Sequence, residues 1–292
     1  MTTLDAAQLV GNAITLLFVP GDRPDRFVKA ATSGADLVIL DLEDAVAPDN
    51  KVDALAAVIV ALTNAPLTNA DSTSGATAHF RAIVRVNAHS LYWGAELAAL
   101  SSLVAIPNHG LLGIMLPKTE LPDEAETVYR MLGLPVIALI ETAAGVANAL
   151  DIARAEGVER LAFGAVDFAR DLDATDPSVF DVARAQIVIA SRAAGLAAPI
   201  DSPCVSIDDA VVVEAEAARA AGFGFTGKMC IHPSQIAPAN AGFAPTSAQV
   251  AWAERVVALE GGATALDGQM VDKPIVDRAK RILERATASG TK

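Results

Sequence analysis

Cysteine is nearly absent from this chain: Cys204 and Cys230 are the whole supply in 292 residues. Two thiols exclude a disulfide framework or a thiolate zinc cluster, and they read as small buried side chains in a reducing compartment. Histidine is scarce as well, four in all. His79, His89 and His109 fall in polar or turn segments and form no ligand pattern. Positive charge is in deficit, since 22 Lys and Arg face 35 Asp and Glu for a net −13. Nucleic acid and anionic membrane surfaces are therefore not expected as partners, and an anionic ligand must be held by a few local cations. No apolar run reaches the roughly 18 residues that cross a bilayer. The start, MTTLDAAQLVGNAITLLFVPGDR, carries an acid and no basic stretch ahead of a short apolar segment closed by Pro-Gly, so no export signal is expected. The expectation is a cytoplasmic protein that does not enter the membrane.

What the chain does have is apolar material, 52% of its residues, arranged in short runs. Strands are expected at 14–20, 36–44, 82–87, 113–118, 135–142, 160–167, 198–203 and 224–233. Most of these are apolar throughout, as parallel strands covered on both faces are. Ala-rich segments of helical spacing lie between them, several closing on Gly. The alternation predicts an α/β fold, a (β/α)8 TIM barrel over 1–245, with a doubly wound open sheet as the competing arrangement. Residues 63–79, TNAPLTNADSTSGATAH, read as a flexible surface insertion. Residues 246–292 exceed what eight βα units need and form a C-terminal helical extension: a helix, a turn-rich link GGATALDGQMVDKP, and a last helix with Pro274 in its first turn.

The strand DLVILDLED raises the functional question, because a buried run ends in Asp41, Glu43 and Asp44. Other expected strands also end in charge or amide: Arg85 and Asn87, Lys118, Glu141, Asp167, Asp201, and Lys228 with His232. In βα barrels the active site lies where the strands stop. Glu141 and Asp167 each follow an apolar strand, and two carboxylates in one mouth call for a hard divalent cation with oxygen ligands; the alternative is that each caps a following helix. Arg85 inside IVRVN can grip a carboxylate or enolate through paired hydrogen bonds, or form a buried ion pair with the acids at 41–44. Lys118 can bind an anion, act as a Schiff-base nucleophile, or pair with Glu120 or Glu141. His232 suits either a base or a structural histidine. Arg23 and Gly21 in PGDRPDR offer a phosphate grip at a helix start.

The motifs LFVPGDRPDRF, LVILDLEDAV, VRVN, GIMLPKTE, ALIETAAGV, LAFGAVDFARDL, GKMCIHPSQI and GQMVDKP, in this order from about residue 14 to 285, resemble the citrate lyase β-subunit-like family of the HpcH/HpaI aldolase superfamily. The resemblance implies a barrel enzyme that makes or breaks a carbon–carbon bond between a 2-oxo acid and an acyl-CoA or acyl-carrier thioester, with Mg²⁺ as cofactor. It implies Glu141 and Asp167 as metal ligands and Arg85 as the substrate-binding arginine; Glu141, Lys118 and Arg23 are the further substrate contacts expected at the mouth. Glu43 and Asp44 would hold metal-bound waters or orient Arg85. Asp272 in GQMVDKP is similar to a tail aspartate that acts as acid/base, often in a neighbouring subunit's site; by itself it also suits the N-cap of the last helix. Relatives imply a homotrimer.

Where relatives often carry IDG followed by an aromatic and an acid, this chain has IDSPCVSIDD, so Ser202, Pro203 and Cys204 reshape one wall of the pocket. Substrates of the malyl-CoA, citramalyl-CoA or citryl type fit the resemblance. An acyl-CoA thioesterase, a malate synthase-like enzyme, a free 2-oxo acid aldolase and a citryl-carrier lyase subunit of a larger complex are the alternatives. The free-acid aldolase typically uses a histidine base near the first strand, and PGDRP has none.

Overall fold

The computed structural model describes residues 3–63, 80–259, 264–266 and 269–289. The insertion read at 63–79 thus lies, from 64 onward, outside the described residues. Eight parallel strands close into a barrel in sequence order: β1 (Thr15–Pro20), β2 (Leu37–Asp41), β3 (Ala82–Arg85), β4 (Leu111–Leu116), β5 (Val136–Ile140), β6 (Val158–Phe163), β7 (Ile200–Asp201) and β8 (Gly227–Cys230). The open-sheet alternative is excluded, because β1 pairs with β8 as well as with β2.

The helices are α1 (Thr3–Asn12), α2 (Phe27–Ala31), α3 (Lys51–Leu62), α4 (Trp93–Val104), α5 (Pro122–Leu132), α6 (Ala143–Ala147), α7 (Ala149–Arg154), α8 (Ala165–Leu172), α9 (Pro177–Ala194), α10 (Ala210–Phe223), α11 (Ile236–Phe243), α12 (Ser247–Ala258) and α13 (Lys273–Ser289). Their ends follow local chemistry. Thr142, Asp176, Asp209 and Thr246 accept backbone N–H groups at helix starts. Gly133, Gly195 and Gly224 close α5, α9 and α10 in the left-handed conformation. None of the described helices is long and apolar enough to cross a membrane.

Alternation along the strands splits the core in two. Leu16, Ile39, Ile83, Met115, Leu139, Ala162, Ile200 and Met229 fill the barrel interior. Their strand neighbours Leu17, Leu40, Val84, Ile140, Phe163 and Cys230 pack outward beneath the helices. A third small core, Ala253, Val256, Val271, Ala279 and Ile282, joins α12 to α13.

The structure departs from the sequence reading at four places. β6 ends at Phe163, four residues earlier than expected, because Gly164 starts α8, so Asp167 stands in a helix's first turn. β7 shrinks to two residues. The turn-rich link contains an antiparallel pair, β9 (Thr264–Leu266) and β10 (Gln269–Val271). The unexpected α1 places its Val10, and Ala13 just after its end, in the interior cluster. Buried Arg160 of β6 donates there to the carbonyls of Val10 and Ala13 at 3.0 and 2.7 Å, to Ala198 O and to Thr226 Oγ1.

Candidate active site

Period-two alternation decides which charged residues face the mouth. Asp41 follows interior Ile39, Arg85 follows Ile83, and Glu141 follows Leu139, so all three turn inward at the C-terminal ends of their strands. Asp41 and Arg85 are also register partners on β2 and β3. They meet in a bidentate pair, Arg85 Nε to Asp41 Oδ1 at 2.7 Å and Nη2 to Oδ2 at 2.6 Å. The guanidinium lies over the Phe18 ring, 4.6 Å from its centroid. Burial alone would lower the Arg85 pKa, but Asp41, then Glu43 and Glu141, more than reverse that and keep it cationic. The structure places Arg85 in the buried-pair reading: its pair with Asp41 is in place, and Nη1 faces Glu43 Oε2 at 3.1 Å.

Glu43 is the junction. One carboxylate oxygen accepts from Lys118 Nζ; the other is buried and has no hydrogen-bond partner among the described residues. Burial raises the Glu43 pKa against the pull of Arg85 and Lys118. Lys118 sits in a left-handed conformation with Nζ 3.8 Å from Glu141 and 3.9 Å from Asp44. Burial lowers its pKa, but the hydrogen bond and charge of Glu43, with Glu141 and Asp44, leave it raised. Lys118 is thus held cationic among its carboxylate neighbours, the opposite of the shift that activates a Schiff-base lysine.

Glu141 is 2% exposed and does not cap a helix; Thr142 caps α6 instead. Its Oε1 accepts from the backbone N–H of Lys118 at 2.9 Å. Burial pushes its pKa up to about 8, with Glu43 and Asp167 adding to the rise and Lys118 and Arg85 opposing it. Asp167, 24% exposed, makes no cap bond either and has Arg170 at 3.7 Å as its partner. It is near enough for its charge to act on Glu141.

Among the described residues, Asp41, Glu43, Glu141 and Asp167 pair with Arg85 and Lys118, with the largely exposed Arg170 at the edge and the charge of Lys51 acting on Asp41 and Glu43 from behind. An excess of carboxylates, one of them raised by burial, is the setting that suits a hard divalent cation. No cluster of three or more Asp, Glu, His or Cys placed to hold an ion occurs among the described residues. Two protein carboxylates completed by water and substrate fit the habit of Mg²⁺.

Supporting groups were less visible in the sequence. A Cβ at Gly164 would collide with Glu141 Oε2, so the glycine after β6 makes room for the carboxylate. Ser202 Oγ accepts from Ala165 N at 3.0 Å and fixes the start of α8. Lys51, Asn87 and Glu96 form a buried network behind residues 42–43. Asn87 and Ser202 stand at expected strand ends in the sequence, whereas Lys51 and Glu96 look like ordinary surface charges on amphipathic helices.

Other expected residues lie elsewhere. Asp201 and Lys228 alternate with interior Ile200 and Met229, so they point outward. There they join Arg184 and Glu216 in a buried ion cluster under the helices, outside the mouth. His232 caps the short turn at Pro233 through Nδ1, its structural reading. Arg23 is exposed and forks onto Asp25. Exposed Asp272 accepts from Ile275 N at 3.3 Å, capping α13.

Comparison with known proteins agrees with the barrel fold. Residues 15–233 match the HpcH/HpaI aldolase/citrate lyase family. A citrate lyase subunit beta-like protein of Deinococcus radiodurans is 36% identical over 92% of this chain and 95% of its own length. A (3S)-malyl-CoA thioesterase of Cereibacter sphaeroides is 31% identical over 94% of each chain. The crystal structure of CitE from Mycobacterium tuberculosis with magnesium, acetoacetate and coenzyme A superposes with a TM-score of 0.79 at 33% identity, over 94% of this chain and 98% of that one. With motifs and barrel in agreement, the chain belongs to the HpcH/HpaI aldolase/citrate lyase family, within its citrate lyase β-subunit-like group.

Proposed function

We propose that this protein is a magnesium-dependent carbon–carbon lyase that splits a 3-hydroxyacyl thioester of the malyl-, citramalyl- or citryl-type into a 2-oxo acid and an acyl thioester, or runs the reverse condensation. The observation that carries this reading is Glu141, buried in the mouth beside Asp167 and Glu43 with its pKa raised to about 8. Such a carboxylate is stable as an anion only when a cation sits against it. The structural relative with magnesium, acetoacetate and coenzyme A supports the same assignment. Magnesium held by Glu141 and Asp167 would supply Lewis-acid polarisation of the substrate's carboxylate and adjacent oxygen.

The chain's own residues supply the rest. In the cleavage direction a base takes the hydroxyl proton, the bond between the hydroxyl-bearing carbon and the thioester's α-carbon breaks, and its electron pair forms a thioester enolate. Arg85, held cationic by Asp41, stabilises that oxyanion through Nη1. Lys118 adds positive charge from the β4 end beside Glu43 and Asp44, and in this reading those two acids would hold water around the site or orient Arg85. Arg23 at the rim is the proposed phosphate contact of the thioester carrier. Asp272 is the proposed acid/base. It is exposed at the start of α13, so in this reading it works from the tail of a neighbouring copy.

Isolated protein supplied with malyl-CoA or citramalyl-CoA should release a 2-oxo acid, trapped as its phenylhydrazone, only when Mg²⁺ is present. Glu141→Ala should abolish turnover and Mg²⁺ binding while circular dichroism stays native. Mg²⁺-dependent turnover by that variant refutes the assignment. The thioesterase relative favours a second reading in which the same groups bind malyl-CoA and water cleaves the thioester. Malate and free CoA in place of glyoxylate and acetyl-CoA would select it.

A further inference from the structure

Behind the mouth sits a buried ammonium that the chemistry proposed above does not use. Lys51 opens α3 and is 8% exposed. Its Nζ donates to Leu42 O at 2.6 Å, Glu43 O at 2.6 Å and Asn87 Oδ1 at 2.7 Å. An ammonium has three donors, and all three are used. No carboxylate oxygen lies within 4 Å of Nζ among the described residues. Asn87 ties the same turn, its Nδ2 donating to Leu42 O at 2.6 Å and to Glu96 Oε1 at 2.5 Å. From the opposite side Asp41 accepts from Glu43 N at 2.9 Å and Ala45 N at 3.1 Å while holding Arg85. The segment 41–45 is thus pinned by its N–H groups to one side chain and by its carbonyls to another. Glu43 is held at its N–H by Asp41 and at its C=O by Lys51 and Val46 N, and Leu42 at its N–H by Arg85 O and at its C=O by Lys51 and Asn87.

We propose that Lys51 is a positioning residue: through the carbonyls of Leu42 and Glu43 it fixes the backbone from which Glu43 reaches Lys118 and Arg85. Keeping a lysine there is costly, because burial lowers its pKa. A residue needed only to fill space beneath β2 would be apolar. A cation meets two carbonyls and an amide oxygen at once, and no apolar side chain can restrain carbonyl orientation in that way. The kinetic consequence rests on the lyase reading above; the structural one does not.

The test therefore has two arms. In the activity-free arm, Lys51→Met is compared with wild type by hydrogen–deuterium exchange at fixed pH. Exchange across 42–46 should accelerate at least about tenfold, as expected when local opening is no longer opposed by these bonds, while β4 to β6 keep wild-type protection. Unchanged exchange in 42–46 overturns the proposal, and so does equal acceleration throughout the barrel. In the kinetic arm, kcat of Lys51→Met should fall about 10- to 100-fold with KM within about threefold, the signature of an interaction that matters in the transition state.

Glu43→Gln then supplies the deciding cycle. If Lys51 acts through Glu43, its removal in the Glu43→Gln background costs little more, whereas additive losses overturn the proposal. Should Lys51→Met not fold, Asn87→Ser removes one acceptor of the ammonium and the second donor to Leu42 O. It should give the same exchange pattern at smaller amplitude, and wild-type exchange there counts against the proposal. A wild type without turnover defeats the lyase reading alone, and the exchange arm still decides the role of Lys51.

Discussion

Gly164 determines whether Glu141 can stand where it does. An ideal Cβ at 164 would run into both Oε2 and Cβ of Glu141, and overpacking of this kind costs typically about 1–3 kcal/mol when the neighbour cannot move. Glu141 has little room to give way, since its other oxygen is tied to Lys118 N. Gly164→Ala is therefore expected to weaken Mg²⁺ binding at least about tenfold by calorimetry, about 1.4 kcal/mol, while the barrel still folds. His109 makes a different residue-scale prediction. It lies in the turn before β4, its Nδ1 buried without a hydrogen-bond partner among the described residues, and burial lowers its pKa from 6.5. As pH falls below about 6.5 the unfolded chain takes up the proton first, so the contribution of neutral His109 is full above that pH and is lost towards the lower folded value. Urea midpoints at pH 7.5 and 5.5 should differ less in His109→Gln than in wild type.

At the scale of elements, α1 and Arg160 close the end of the barrel opposite the site. Arg160 has no carboxylate within ion-pair reach among the described residues, and burial pulls its pKa down to about 10, so it stays charged at neutral pH and is held by carbonyl oxygens. Arg160→Met would leave the carbonyls of Val10, Ala13 and Ala198 without this donor, and losses of about 1–3 kcal/mol per buried unpaired group predict a clear drop in the urea midpoint. The strands themselves were legible in sequence, because runs such as VIALI and LLGIML are apolar on both faces. Which face a terminal charge takes was not, since one residue of phase reverses it. Glu141, Arg85 and Asp41 fell in phase with the interior, while Asp201 and Lys228 fell out of phase and joined a structural ion cluster. Asp167 was identified as a site residue but misplaced by one element, because VDF continues an apolar strand pattern and also starts an amphipathic helix. The network of Lys51 and Glu96 was invisible: its meaning comes from contacts with residues 36 and 9 positions away in Asn87, and no local pattern announces it.

The molecule as a whole carries −13 and still gathers four carboxylates around Arg85 and Lys118 at one end of its barrel, so under the proposed function its stability should depend on a cation bound in the mouth. For Glu141 the ordinary pKa is 4.5 and the folded value about 8. A raised carboxyl group contributes its full stability below the lower value and loses it as pH climbs through the higher one. Metal-free protein should therefore be less stable at pH 8.5 than at pH 5.5 by an amount that Glu141→Gln removes, leaving the variant the more stable of the two at high pH without metal. A ligand bound only by the folded state at 100 times its Kd adds about 2.7 kcal/mol, which for a chain of this size corresponds to about 5 °C in Tm. Saturating Mg²⁺ should produce a rise of that order in wild type, larger at pH 8.5 than at 5.5, and none in Glu141→Gln. Scanning calorimetry of both proteins at the two pH values, with Mg²⁺ and with chelator, checks every sign. An equal Mg²⁺ shift in the two proteins would move the cation away from Glu141, and with it the chemistry assigned to the mouth.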